Sequence, residues 1–315
     1  MNFNNIAPVN QKKLHGFDNN FNELANLFDT NKLPTKIIFS GSKGIGKSTM
    51  AYHLTNYIFS RDEKNSYDIN NFSISDQNHS FNLINKNLHP NFYLVDVIDG
   101  KDSIEISQIR KMINYSMKSS FGKSEKIILI DNIENLNLNS VNALLKIIEE
   151  PNDGIYFFLI FDENKYVLNT LKSRCSNFKL SLTFDESINI SNLILNNDVY
   201  NLINKELINY YNTPGDIVNL LNFANSINLD LNEYTLKDFL FLLIDKSYYK
   251  NNLFIKKNIS NYIEQYFMQL MKISTAKNKV SKIYNETIKN IYNAKKYNLD
   301  MESIFMHLKG KLFNG

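Results

Sequence analysis

The residues with most chemical potential lie together at 41–49, Gly41-Ser42-Lys43-Gly44-Ile45-Gly46-Lys47-Ser48-Thr49. This run fits G-x-x-x-x-G-K-[ST], the pattern of a loop that cradles phosphates. Its glycines let backbone N–H groups turn inward around phosphate oxygens, and the next helix offers its positive end. In such a loop Lys47 reaches the β- and γ-phosphates, while Ser48 ligates Mg²⁺ and Thr49 follows it. A second acidic position, Asp131, ends the apolar run KIILID and is placed to hold the Mg²⁺ shell. Its neighbour is Asn132, whose amide positions water but accepts no proton, and losing a general base costs about 10²–10⁴-fold. Glu134, two residues on, is the alternative carboxylate. The run LKSRCSNF adds Arg174, one of only three arginines beside thirty-two lysines. A planar, always-charged guanidinium suits stabilisation of transferring phosphate charge, with an ordinary ion pair as the competing reading. Cys175 has no positioned histidine to activate it as a nucleophile, and His89 reads as a loop residue.

These groups need a scaffold, and the pattern supplies one. KIIF (36–39), FYLVDV (92–97), KIILID (126–131) and IYFFLIF (155–161) are continuously apolar, as strands buried on both faces are. Between them, Ile109, Met112, Ile113, Ser116 and Met117 keep helical spacing after an expected cap at Ser107. NSVNALLKIIEE repeats that period and is expected to stop at Pro151. Strands alternating with helices predict a parallel sheet covered on both faces. Residues 61–90 are polar and rich in Asn and Ser, a long excursion with one short helix. After residue 181 strand signals vanish. DESINISNLILNN, VYNLINKELINYY and TPGDIVNLLNFANSI read as three helices, the last starting at Pro214 after a Thr213 cap. Four further helical stretches follow from about 230 to the end.

Composition narrows the class. A chain of 315 residues is long enough for two or three domains, and 43% apolar residues is ordinary for a globular protein. A single cysteine excludes an internal disulfide and a cysteine-based zinc site. The longest apolar runs fall short of the ~18–20 residues a membrane span needs. The first residues lack the apolar core of a signal peptide, so a soluble, cytoplasmic protein is expected. Net charge is only +3, but from Lys246 onward thirteen lysines face four acidic residues. That segment reads as solvated helix faces or as a contact for DNA or an acidic partner.

Together these stretches resemble the bacterial DNA polymerase III clamp-loader family, its delta prime branch in particular. The resemblance runs through LHGFDNNFNEL, GSKGIGKST, LHPNFYLVDV, IRKMINYSMKSS, KIILIDNIENLNLNSVNALLKIIEEP, IYFFLIF and LKSRCSNF, with NTPGDI beyond them. It covers about residues 14–225 and implies an α/β AAA+ P-loop domain with a parallel sheet between helices. A small helical lid domain and an all-α collar domain would follow, at boundaries 1–181, 182–227 and 228–315. It implies a hetero-pentamer with gamma/tau and delta subunits that places a sliding clamp on primed DNA. Lys47, Ser48 and Asp131 match the family's own-site ligands for ATP and Mg²⁺, with Gly41, Gly44, Gly46 and Thr49 completing the cradle. Arg174 matches the finger that enters a neighbouring subunit's ATP site.

Departures from the family pattern bear on turnover. The carboxylate expected beside Asp131 is Asn132, the polar sensor at the end of the fourth strand is expected to be replaced by Phe161, and the lid arginine is replaced by Asp216. The four-cysteine zinc module of many loader subunits has no cysteines here. The expectation is a stator and finger donor with little ATP hydrolysis of its own. An active gamma/tau-type ATPase using Glu134 is the alternative, and a small-molecule P-loop kinase is disfavoured by the scarcity of arginine.

Overall fold

The computed structural model describes residues 6–98, 100–122, 125–150, 152–274, 277–297 and 299–313. They fall into two compact units, residues 1–190 with 213–215, and residues 191–212 with 216–315. In chain order the first unit contains α1 (Asp18–Asp29), β1 (Lys36–Gly41), α2 (Lys47–Phe59), α3 (His79–Asn85), β2 (Phe92–Val95) and α4 (Ile106–Ser116). It continues with β3 (Lys126–Ile130), α5 (Leu138–Glu149), β4 (Ile155–Asp162), α6 (Asn169–Lys172), β5 (Ser176–Lys179) and the start of α7 (Phe184–Leu195). The five strands form one parallel sheet in the order β2-β3-β4-β1-β5.

Strand periodicity distributes the core to two sides. Ile127 and Leu129 of β3, with Ile37, Phe39, Phe158 and Ile160, pack under Phe21, Leu24, Phe28, Met50 and Leu54 of α1 and α2. Ile128 and Ile130, with Ile38, Phe157, Leu159 and Phe161, pack under Ile109 and Met112 of α4 and Leu144 and Ile148 of α5. The middles of β1, β3 and β4 are therefore apolar on both faces, which is the covered parallel sheet that the sequence predicts.

Four local expectations are corrected. The cap of α4 is Glu105 rather than Ser107, and the Glu105 N–H donates to the Gln108 side chain at 3.0 Å. Met117, expected on the buried face, is exposed. β5 was not expected at all; its SNFK has no buried residue and pairs only with β1. VYNLINKELINYY is not a helix but two short 3₁₀ turns, Val199–Asn201 and Lys205–Leu207. There the Asp198 and Asn204 side chains accept the N–H groups of Tyr200 and Glu206, at 2.9 and 3.0 Å, an alternative to helical pairing. α5 ends at Glu149 as expected, while Pro151 and residues 1–5 lie outside the described residues.

The excursion at 61–90 contains one short helix, α3, as expected, and a polar network holds it. Glu63 accepts the N–H groups of His79 and Ser80 at 2.9 Å each. Asn78 accepts from Phe81 N at 2.7 Å and from the buried Asn56 amide at 2.8 Å. His53 contacts the Tyr67 hydroxyl at 2.9 Å, and burial pushes its pKa down to about 4.

The second unit is helical: α8 (Pro214–Ser226, whose first residues group with the first unit), α9 (Leu236–Asp245), α10 (Tyr248–Asn251), α11 (Leu253–Ile273), α12 (Lys277–Tyr297) and α13 (Glu302–Phe313). Phe239, Tyr262, Ile263, Phe267 and Phe305 are its buried anchors. No helix among the described residues is long and apolar enough to cross a membrane.

Candidate functional site

The phosphate loop leaves the C-terminal end of β1 and delivers the chain into α2. Three of its glycines have positive φ: Gly41 at 151°, Gly44 at 85° and Gly46 at 103°. Residues with side chains rarely reach these values. Lys47 opens α2 and is buried, and its Nζ donates to the carbonyls of Gly41 at 2.9 Å and Ser42 at 2.7 Å. Burial holds its pKa below the usual lysine range, opposed by Asp162, Asp131 and Glu134. Ser48 Oγ donates to Asp131 Oδ2 at 2.6 Å, so the two expected Mg²⁺ ligands already converge. Thr49 follows in the first turn of α2.

Sheet register brings the acids together. Val95 pairs with Ile130, which sets Asp96 at the end of β2 beside Asp131 at the end of β3. Asn132 sits in the left-handed region at φ 56° and donates its amide to Asp96 Oδ1 at 2.8 Å. The side chain beside Asp131 is thus tied down by its neighbour and holds no titratable base. Glu134 accepts the N–H of Asp162 at 3.2 Å, which fastens it to the end of β4. Sequence reasoning missed Asp96; an acidic residue near the end of FYLVDV was its only signal, and its meaning depends on strand order.

The structure refines the Phe161 expectation. Phe161 is buried on the α4–α5 side, with the Lys172 ammonium 4.3 Å from its ring centre. The residue that faces Lys47 is Asp162, paired in register with Gly41. Its carboxylate adds negative charge beside the Lys47 ammonium.

Burial and Asp96 raise Asp131 to about 6, against the pull of the Ser48 hydroxyl and the Asn132 N–H. A carboxylate whose pKa is raised on folding is stabilising below its unfolded pKa, and that contribution is lost as pH rises through the folded value. The window runs from about pH 4 to 6. Asp131→Asn is therefore expected to stabilise the ligand-free protein at pH 7 by on the order of 1–2 kcal/mol, the full shift being discounted for partial solvent contact. Denaturant melts at pH 4 and pH 7 check this; a variant less stable than the parent at pH 7 refutes it.

Arg174 stands apart from this cradle, between α6 and β5. Its guanidinium remains partly exposed, with Nε and an Nη each 2.8 Å from Glu149 and the other Nη donating to Thr170 O at 2.9 Å. The adjacent Cys175 is half-buried, and burial pushes its thiol up to about 11, leaving no thiolate at neutral pH. His89 stacks on Phe59 at 4.1 Å, a packed loop residue. No group of three or more metal-ligating side chains clusters among the described residues.

The ligand set Ser48–Asp131, with Lys47 and the glycine loop, fits a nucleotide phosphate with Mg²⁺ in donor type. The acids Asp96, Asp162 and Glu134 around it add negative charge that a bound triphosphate must overcome.

Comparison with known proteins follows the same residues. A family model described as DNA polymerase III, delta subunit, matches residues 17–183. The DNA polymerase III subunit delta' of Buchnera aphidicola subsp. Schizaphis graminum is 28% identical over 170 residues, 54% of this chain and 50% of that protein. The DNA polymerase III subunit gamma of the same organism is 30% identical over 182 residues, 58% of this chain and 47% of that protein. The chain thus spans about half the length of these curated relatives. A Thermotoga maritima crystal structure of a DNA polymerase III gamma subunit-related protein aligns over 91% of this chain and 96% of its own, at 13% identity and a TM-score of 0.47.

Proposed function

The chain belongs to the DNA polymerase III delta-subunit family, and on that premise we propose that it is a delta prime-type clamp-loader subunit. It acts as a stator and finger donor, with little or no ATP hydrolysis of its own. The observation that carries this reading is the wall of the cradle. Where a hydrolase needs a free base beside the Mg²⁺ ligand, this chain has an amide bound to Asp96, and where a γ-phosphate would sit it presents Asp162. When bound, ATP with Mg²⁺ would supply charge for Lys47, Ser48 and Asp131 to hold, cradled by Gly41, Gly44, Gly46 and Thr49.

Arg174 is the group proposed to act on another subunit. Its guanidinium is partly exposed and planar, engaged in a half-solvated pair with Glu149 and a hydrogen bond to Thr170 O. In the assembly, gamma/tau and delta subunits are the proposed partners, and the sliding clamp and primed DNA are met through the complex. Residues 1–181 would form the AAA+ module, 182–227 its lid and 228–315 the collar that joins subunits. The proposed compartment is the cytoplasm.

The purified chain alone is expected to hydrolyse ATP at a rate indistinguishable from its Lys47→Ala variant. Turnover well above that of the variant would favour the second reading, an active gamma/tau-type motor. The 30% identity with a gamma subunit keeps that reading in play.

A further inference from the structure

The phosphate loop is held by a second piece of chain, distant in sequence. Thr213–Gly215 groups with the first unit, while the residues on either side of it, 191–212 and 216–315, group with the second. Gly215 N donates to Gly44 O at 2.9 Å. The approach is close enough to exclude side chains from both partners. A methyl group on Gly215 would lie 2.7 Å from Gly44 Cα and 3.0 Å from Gly44 O, and one on Gly44 would lie 2.4 Å from Thr213 Oγ1. The φ of Gly215 lies outside the left-handed region, so glycine is needed here for room and not for backbone freedom. Thr213 is buried in the same contact.

Peptide geometry gives this contact a consequence for the cradle. In a trans peptide the C=O of one residue and the N–H of the next point in opposite directions, and no peptide among the described residues is cis. Anchoring Gly44 O on Gly215 therefore aims the Ile45 N–H away from Thr213–Gly215. The Ile45 side chain is buried in the core under α1 and α2, which fixes the same peptide through its other residue. The N–H groups of Gly44, Ile45, Gly46 and Lys47 reach no acceptor among the described residues. They are the donors that a phosphate-binding loop keeps for its ligand. Ile45 carries the one whose direction Gly215 sets.

We propose that Thr213–Gly215 is a strap that sets the phosphate loop for its ligand, with Gly215 as a positioning residue for the phosphates of a nucleoside diphosphate or triphosphate. The inference rests on the reading that the cradle holds nucleotide, and it is independent of turnover and of Arg174. The opposite role for the same contact is a plug that keeps nucleotide out. The direction of the bond favours the strap. It engages a carbonyl, which repels phosphate oxygen, and leaves free the N–H groups, which bind it. A plug would take those N–H groups for itself. A loop already held in this pose loses little freedom when ligand arrives. By linkage, a strap that favours ligand is itself favoured by ligand.

The test titrates the full chain with ADP and Mg²⁺ and follows binding by calorimetry. Gly215→Ala drives the strap off Gly44 O without altering any side chain of the cradle. Affinity is expected to fall by on the order of ten- to a hundredfold, the worth of one hydrogen bond to a charged acceptor. Pro214→Gly adds no atom against the loop and only loosens the strap, so a loss of about two- to fivefold is expected. Gly154→Ala, just before β4 and so at the far end of the sheet from the loop, should stay within about twofold of the parent. In the parent, hydrogen exchange at the Gly215 amide should slow when ADP saturates the chain, a response that a merely structural contact would not give. Parent-like affinity in folded Gly215→Ala overturns the proposal, and so does tighter binding, which a plug would give. If that variant does not fold, parent-like affinity in Pro214→Gly or an unaltered Gly215 exchange overturns it. Lys47→Ala separates the two levels. Loss of binding there with none in Gly215→Ala sinks only the strap, whereas no ADP binding by the parent sinks the nucleotide reading and the strap with it.

Discussion

Arg174→Ala is expected to silence the ATP site that it serves in a reconstituted loader, while leaving this chain's own stability almost unchanged. A finger guanidinium is worth about 10³–10⁵ in turnover, so total DNA-stimulated ATPase should fall by that one site's whole share. The structural role of Arg174 is small by comparison. Its pair with Glu149 is half-solvated, and exposed pairs contribute about 0–1 kcal/mol. Loss of turnover with an unchanged melting curve therefore separates action in trans from local packing. Arg174→Lys sharpens the test, because an ammonium keeps the charge but not the fork of donors. Little rescue is expected. Undiminished turnover in the Ala assembly removes the finger role, and full rescue by Lys reduces it to a diffuse positive charge.

The in-chain partner of Arg174 gives this test its meaning. Two of its nitrogens lean on Glu149 and a third on Thr170 O, which holds the guanidinium beside the junction of α6 and β5. A long side chain loses up to about 2 kcal/mol of rotamer entropy when fixed. If a neighbour docks there as proposed, that cost has been met during folding rather than during catalysis.

How much of this was legible in sequence depended on burial. β1, β3 and β4 announced themselves because both faces of their middles are covered, which calls for continuous apolar runs, and β2 by the apolar run FYLV although its Leu94 is exposed at the sheet edge. β5 stayed hidden because SNFK is an exposed edge held by backbone bonds to β1, and a row of backbone pairs leaves no mark on side-chain type. The loop at 41–49 and its approach to Asp131 were legible because positive φ calls for glycine and the Ser48–Asp131 contact for a hydroxyl and a carboxylate. Their surroundings were not. Phe161 and Asp162 are consecutive, and only strand register says that the acid faces the loop while the ring enters the core. Asp96 lies thirty-five residues before Asp131 in the chain but beside it in the sheet. VYNLINKELINYY misled because Val199, Ile203 and Leu207 are buried at helical spacing, while Asp198 and Asn204 divert the backbone into turns.

Gly41→Ala is expected to be the most destabilising change in the cradle, whether or not nucleotide ever binds. A methyl group at Gly41 would lie 2.2 Å from Leu180 O and 2.7 Å from Ile45 Cδ1, at φ 151°. The carbonyl cannot step aside cheaply, because Leu180 N is itself bonded to Ser40 O at 2.8 Å, where the chain leaving β5 pairs with β1. Backbone strain of about 1–3 kcal/mol adds to this overlap, so a total loss of about 3 kcal/mol or more is expected. Gly46→Ala meets nothing nearer than Phe17 Cε2 at 3.8 Å and should lose only the φ strain, about 1–2 kcal/mol. Gly44→Ala falls between them, since its neighbour at 2.4 Å is the Thr213 hydroxyl, a side-chain atom, although Gly215 N also donates to Gly44 O at 2.9 Å. Urea melts should give the order Gly41, Gly44, Gly46 in midpoint loss with m unchanged. Equal losses would mean that φ strain alone sets the cost and that the contacts to Leu180 and Thr213 are unimportant. The predicted order has a consequence for function. If the fold itself demands glycine at 41 and 44, then an intact phosphate loop says little about hydrolysis. On the proposed reading, turnover is decided instead by the side chains around the loop, Asn132 and Asp162 among them.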